Sequence, residues 1–147
     1  MLNKKIVFIL VAILLFVSCK KDDTKFDIVP AIEYISITPS NPHQYSDKVI
    51  ITIHYKDGDG DLGENKDGVK NCFVTDNRIG ITYQYRIQQL APEGSSIPIS
   101  GNLNIDLGGQ VVTDSSSQQN VSYTMYIVDR SGHTSNSITT SSILIIR

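Results

Sequence analysis

Val49-Ile50-Ile51-Thr52-Ile53-His54-Tyr55 sets Val49, Ile51, Ile53 and Tyr55 on one side of an extended chain and Ile50, Thr52 and His54 on the other. An apolar period of two marks a half-buried β-strand, because successive strand side chains point to opposite faces. The pattern recurs outward from this stretch. Ile35 and Ile37 alternate with Ser36 and Thr38 until Pro39-Ser40-Asn41-Pro42 breaks the run. Ile81, Tyr83, Tyr85 and Ile87 alternate with Thr82, Gln84, Arg86 and Gln88; Leu103, Ile105 and Leu107 alternate with Asn102, Asn104 and Asp106. Val121, Tyr123, Met125 and Ile127 repeat the spacing, and Ile143-Leu144-Ile145-Ile146 closes the chain as an apolar run, read as a more buried strand. A weaker strand is expected over residues 69–75. After residue 30 no window of about 11 residues carries an apolar stripe at helical spacing.

Pro92, Gly94, Pro98, Gly101 and Gly108-Gly109 punctuate the middle of the chain, and residues 115–119 form a polar loop. Six or seven strands separated by such turns predict an all-β fold. The proportions suggest a single immunoglobulin/fibronectin-like antiparallel β-sandwich of about seven strands over residues 31–147. The Cys-Trp-Cys core of antibody domains is absent, since the chain has no Trp and two Cys. Apolar residues at 40% and charged residues at 19% describe an ordinary globular chain rather than a disordered one.

The first 18 residues read differently. Lys4-Lys5 precede an unbroken apolar run over residues 6–17, which spans about 18 Å as a helix against a hydrocarbon core of about 30 Å. A basic start followed by a short apolar run predicts a cleaved export signal over residues 1–18. Without Lys4 and Lys5 the chain keeps 11 basic against 15 acidic residues, a charge of −4. That balance argues against nucleic acid as a partner, which needs a basic footprint.

Leu15-Phe16-Val17-Ser18-Cys19 resembles the lipobox of bacterial lipoproteins, with Phe16 where Leu is usual. The resemblance implies that Cys19 is acylated and becomes the new N-terminus. A thiolate is the nucleophile that accepts the diacylglyceryl group, and stable anchoring needs more than one acyl chain. Residues 19–30 are then the lipidated Cys and a flexible polar stalk. Lys20-Lys21-Asp22-Asp23 resembles the surface-export signal of lipoproteins from Bacteroidetes-type bacteria; a solvated linker has the same composition.

Asp57-Gly58-Asp59-Gly60-Asp61-Leu62-Gly63-Glu64, followed by Asp67, is the most chemically pointed segment. Alternating Asp residues converge only if the backbone curls, which glycine permits. Several carboxylates in one loop repel without a cation, and hard oxygen donors suit Ca²⁺. The start matches an EF-hand loop, but its sixth position is Leu62 and its twelfth is Gly68, and no helix flanks it. The candidate ligands are Asp57, Asp59 and Asp61, with the bidentate role falling to Glu64 or Asp67. A solvated acidic turn is the alternative.

Near the end, Asp129-Arg130-Ser131-Gly132-His133 resembles the last hairpin of many bacterial immunoglobulin-like domains, with His133 where Asn is commoner. Asp129 suits the turn by bonding local amides and Gly132 by taking positive φ. Taken with the acidic phrase and the charged stalk, the chain is similar to a group of small uncharacterised Bacteroidetes-type outer-membrane lipoproteins. That resemblance implies a place and a fold, and nothing catalytic.

After acylation of Cys19, Cys72 has no partner for an internal disulfide and reads as a small core hydrophobe beside Phe73. His43, His54 and His133 lack zinc spacing, and no Gly-x-Ser-x-Gly elbow or phosphate-binding glycine loop occurs. The seven Tyr fall mainly at strand positions, where aromatics pack the sheet; a sugar-stacking platform is the functional alternative. The expectation is a membrane-anchored binding or scaffolding module, not an enzyme, lipid-anchored at the outer membrane and facing the cell surface, with a protein or glycan partner. The rivals are an accessory glycan-binding subunit of an outer-membrane uptake complex and a carboxylate-dependent hydrolase. The hydrolase needs one carboxyl in apolar surroundings, unlike a Gly-rich charged loop.

Overall fold

A computed structural model describes residues 26–147; the expected export signal, Cys19 and the charged cluster at 20–23 lie outside the described residues. Nine strands follow in order: β1 (Ala31–Thr38), β2 (Lys48–Asp57), β3 (Cys72–Asp76), β4 (Ile81–Tyr85), β5 (Ile99–Gly109), β6 (Gln118–Val121), β7 (Tyr123–Ile127), β8 (Ile138–Thr139) and β9 (Ile143–Ile146). No helix occurs among the described residues. One sheet has the order β1-β2-β5, a second the order β4-β3-β7-β8, and β6 pairs with β9 in a short ladder. Every pairing between these strands is antiparallel.

The period-two pattern builds the interior. β2 buries Val49, Ile51, Ile53 and Tyr55, the four residues of the opening stretch. They share one cluster with Ile32 and Ile37 of β1, Ile105 of β5, Cys72 and Val74 of β3, Tyr123, Met125 and Ile127 of β7, and Ile143 and Ile145 of β9. Side chains from both main sheets therefore meet in a single core, the arrangement of a two-layer β-sandwich.

Three local features depart from simple alternation. A register shift in β1 between Tyr34 and Ser36 forms a bulge, so Ile32 and Ile37 face inward while Ile35 is 46% exposed. The expected strand over 121–128 divides at Ser122, whose carbonyl accepts from Asn77 N–H at 3.1 Å instead of joining a ladder. β6 then pairs with β9, while β7 pairs with β3 and β8. Finally, β4 ends at Tyr85, and buried Ile87 is held by a side chain: Ile87 N–H donates to Asn71 Oδ1 at 2.6 Å, and Asn71 Nδ2 donates to the Ile87 carbonyl at 3.1 Å.

The outer edge of β1 is closed in the same manner. Ile32 N–H donates to Asn136 Oδ1 and Asn136 Nδ2 donates to the Ile32 carbonyl, both at 2.9 Å. A side-chain amide thus supplies the donor and acceptor of a missing strand residue and blunts an exposed edge. Strand directions put the end of β2, the starts of β3 and β5, the ends of β4 and β7 and the start of β1 at one pole. The acidic loop lies there.

Candidate metal centre

Asp57 is the last residue of β2, and its backbone is still paired with Ile99 of β5. Beyond it the chain must leave the first sheet and reach β3 in the second, and Leu62 fixes the path. Leu62 is fully buried in the core, so residues 58–61 curl above it. The curl closes at Gly63 (φ +86), where an added Cβ would stand 2.1 Å from the Gln88 carbonyl oxygen. No other residue suits that backbone and that approach. Glu64 N–H then donates to the Ile87 carbonyl at 2.9 Å, and Leu90 N–H to the Leu62 carbonyl at 3.3 Å.

The curl brings Asp57, Asp59 and Asp61 together, with one ligand atom of each lying within 4.8 Å of the others. The Oδ1 atoms of all three are buried and have no hydrogen-bond partner. The opposite oxygens of two of them are fastened to protein. Asp57 Oδ2 accepts Leu62 N–H at 2.9 Å, and Asp61 Oδ2 accepts both the N–H (3.0 Å) and the hydroxyl (2.6 Å) of Ser131. Buried polar atoms are normally paired, and an unpaired carboxylate oxygen is among the costliest exceptions. Burial pushes the Asp57 carboxyl from 3.8 up to about 6; the Leu62 N–H pulls it down, and the Asp59 and Asp61 charges push it further up. The set can hold a metal ion. Around one ion with ligands at about 2.3–2.6 Å, opposite oxygens stand about 5 Å apart, which accommodates this group.

Glu64 and Asp67 do not join the cluster. Glu64 Oε1 accepts Lys66 N–H at 3.1 Å, and the Asp67 side chain is 101% exposed and pairs with Arg86 Nη1 at 2.9 Å. Once Leu62 enters the core, the chain after it runs outward along residues 85–89. The fastening comes instead from the β7–β8 turn. Arg130 N–H donates to the Asp61 carbonyl at 3.3 Å, and Arg130 Nη1 donates to the Gly63 carbonyl at 2.7 Å. The turn itself is held by Asp129, whose Oδ1 accepts His133 N–H at 2.8 Å while Oδ2 meets His133 Nδ1 at 2.9 Å; Gly132 takes φ +88. The local turn chemistry of Asp129 and Gly132 was readable from sequence, but the reach of Arg130 and Ser131 to a loop some seventy positions away left no local signal.

The histidines are dispersed: His43 lies beside Asp47, His54 beside Asn102 and His133 beside Asp129. Cys72 is fully buried, and burial pushes its thiol from 9 up to about 12. A cleft of about 200 Å³ between β4 and the end of β5 is bordered by Asp76, Arg78, Tyr83 and Leu107. Arg78 is consumed there: Nη2 pairs with Asp76 Oδ2 at 2.6 Å, and Nη1 donates to the Val111 carbonyl and Gln119 Oε1. Phe73 and Tyr126, facing across β3 and β7, stack with centroids 4.9 Å apart. Their faces are thus committed to each other.

No family model, curated protein or solved structure matches the chain.

Proposed function

We propose that the protein is an outer-membrane lipoprotein whose β-sandwich binds or scaffolds a protein or glycan partner, with one pole fixed by Ca²⁺. The observation that carries the calcium reading is the convergence of three buried, unpartnered aspartate oxygens. The donors are carboxylates, the hard ligands that Ca²⁺ takes, and among the described residues no imidazole or thiolate, which would favour zinc, joins them. Immersion of the oxygens makes the ion structural: it joins the β2–β3 loop to the β7–β8 turn through Asp61 and Ser131.

The strand order supports an immunoglobulin or fibronectin type. β1-β2-β5 facing β4-β3-β7-β8 corresponds to strands A, B and E opposite C′, C, F and G of that architecture. Within it, the acidic loop and the Asp129 turn are the B–C and F–G loops. The lipid anchor rests on Ser18-Cys19 and the apolar run before it. Seven positions separate Cys19 from Phe26, a reach of at most about 25 Å. The chain enters β1 at the acidic pole, so this pole stays near the bilayer and the sheet faces and opposite pole are left for a partner. Ile79 in the β3–β4 turn and Ile81 and Tyr83 on edge strand β4 are exposed and supply apolar contact area there.

Two measurements on the purified protein test the reading. Mass spectrometry of the N-terminal peptide is expected to find acyl chains on Cys19, and calorimetry is expected to find one Ca²⁺ bound. An unmodified peptide removes the anchor; no heat at millimolar Ca²⁺ removes the cation.

A further inference from the structure

We propose that the cation also fixes the segment through which the tethered chain enters the sandwich, so that its occupancy sets how rigidly the domain is held on its anchor. The inference rests on the calcium reading above. Its own observation is at Gly58, between the ligands Asp57 and Asp59. An added Cβ there would stand 2.5 Å from the carbonyl oxygens of both Phe26 and Asp27. The entering backbone is therefore laid directly on the acidic curl, in a contact that only glycine permits. Asp27 Oδ1 accepts Val29 N–H at 3.0 Å, which turns the segment, and Pro30 is buried where β1 begins.

The charges decide the coupling. Asp57 is fully buried with Oδ1 unpartnered, and the Oδ1 atoms of Asp59 and Asp61 are buried beside it. The Gly58 contact depends on the shape of the curl, and the three carboxylates, repelling one another, work to open that curl. With a cation present, the carboxylates are drawn together and the curl is held in the shape that Gly58 presents. Without it, the carboxylates repel, the curl opens, and the segment loses its seat.

Hydrogen exchange on the full-length protein in detergent, in EDTA and in saturating CaCl₂, tests this. The expected result is slowing of the Asp27, Ile28 and Val29 amides by about tenfold or more with Ca²⁺, together with slowing of the Ser131 amide. Gly58→Ala is expected to bind Ca²⁺ within about threefold of wild type and to lose the slowing at residues 27–29 while keeping it at Ser131. Where Gly58→Ala does not fold, Asp59→Asn serves: the Ca²⁺-dependent slowing at 27–29 must vanish with the ligand. Slowing at Ser131 without slowing at 27–29 in wild type overturns the coupling and leaves the metal site standing. Unchanged slowing at 27–29 in Gly58→Ala overturns it as well. Absence of any Ca²⁺ heat overturns the site and the coupling together.

Discussion

Ser131 grips Asp61 twice, through its N–H at 3.0 Å and its hydroxyl at 2.6 Å, and both bonds fall on the same oxygen, Oδ2. The grip leaves Oδ1 of Asp61 facing Asp57 and Asp59 without a partner. It also ties the last turn of the second sheet to the loop that leaves the first. Ser131→Ala removes the hydroxyl bond and keeps the backbone one. Hydrogen bonds to a charged acceptor contribute about 1.5–3 kcal/mol, and partial exposure here points to the lower end. The expected outcome is a loss of about 1–2 kcal/mol in urea unfolding and a several-fold weaker Ca²⁺ affinity by calorimetry. An unchanged affinity would mean that the Asp61 carboxylate is positioned without Ser131.

Removing a charge from the cluster has opposite signs with and without metal. In EDTA, Asp59→Asn relieves repulsion from Asp57 and Asp61 and is expected to raise the melting temperature. In CaCl₂ the same variant loses a ligand and gains little or nothing from the ion, whereas wild type at a hundredfold excess over Kd gains about 2.7 kcal/mol. Glu64→Gln and Asp67→Asn serve as contrasts. Their carboxylates lie outside the convergent set, so both are expected to respond to Ca²⁺ like wild type. Thermal melts of the four proteins in the two buffers decide the matter, and a calcium response lost in Asp67→Asn would place the ligand set elsewhere.

The sandwich was legible because burial in β2, β5 and β7 follows a period of two, and apolar periodicity is recorded residue by residue. Ile35 misled for a physical reason: a bulge adds one residue to one strand, and the sequence carries no mark of where the partner strand slips. β8 was missed because its two residues, Ile138 and Thr139, sit in a Ser/Thr-rich stretch too short to show a period. At the acidic loop the local part was readable. Asp57, Asp59 and Asp61 converge, but Glu64 and Asp67 are carried away because Leu62 is drawn into the core. Asn71, Arg130 and Asn136 act on distant backbone and Ser131 on a distant carboxylate, and such roles have no spacing to betray them.

Arg78 and Asp76 form a buried pair with side chains 9% and 1% exposed, joined at 2.6 Å. Arg78 also holds the Val111 carbonyl, just after β5, and the Gln119 side chain of β6. Truncating one partner of such a pair leaves an uncompensated charge inside, which costs about 3–5 kcal/mol. Arg78→Met is therefore expected to destabilise severely. The double variant Arg78→Met, Asp76→Asn is expected to recover part of the loss, because no bare charge then remains. Urea unfolding of the two singles and the double gives the coupling directly. Strict additivity would show that the pair is not the source of the penalty.

Asn136 makes a different kind of bond, since both of its amide groups are spent on one backbone residue, Ile32. Asn136→Ala leaves a part-buried donor and acceptor unpaired, at about 1–3 kcal/mol. Asn136→Asp keeps the acceptor but loses the donor and sets a charge against the Ile32 carbonyl, so it is expected to be no better than Ala. The local readout is the Ile32 amide, whose hydrogen exchange should accelerate in both variants while the amides of Ile51 and Ile53 in β2 follow global stability. Equal acceleration at all three sites would mean that Asn136 stabilises the whole sandwich rather than closing the edge of β1.

Cys72 offers the pH-dependent case. Burial raises its thiol from 9 to about 12, and it is fully enclosed by the core. Because the folded value lies above the unfolded one, folding favours the protonated thiol. Its contribution is complete below pH 9 and is lost as pH climbs toward 12. Between pH 6 and pH 8 the residue should therefore leave stability unaffected by pH and resist thiol reagents, since the thiolate is the reactive form. In native protein at pH 8, labelling by iodoacetamide is expected to be slower than in urea-unfolded protein by at least about a hundredfold, the combined effect of enclosure and a raised pKa. Rapid labelling of the folded protein at pH 8 would contradict the enclosure and revive a reactive role for this thiol. Cys72→Ala, in contrast, should remove the slowly labelled thiol while costing about 1–2 kcal/mol for the contacts removed from the core.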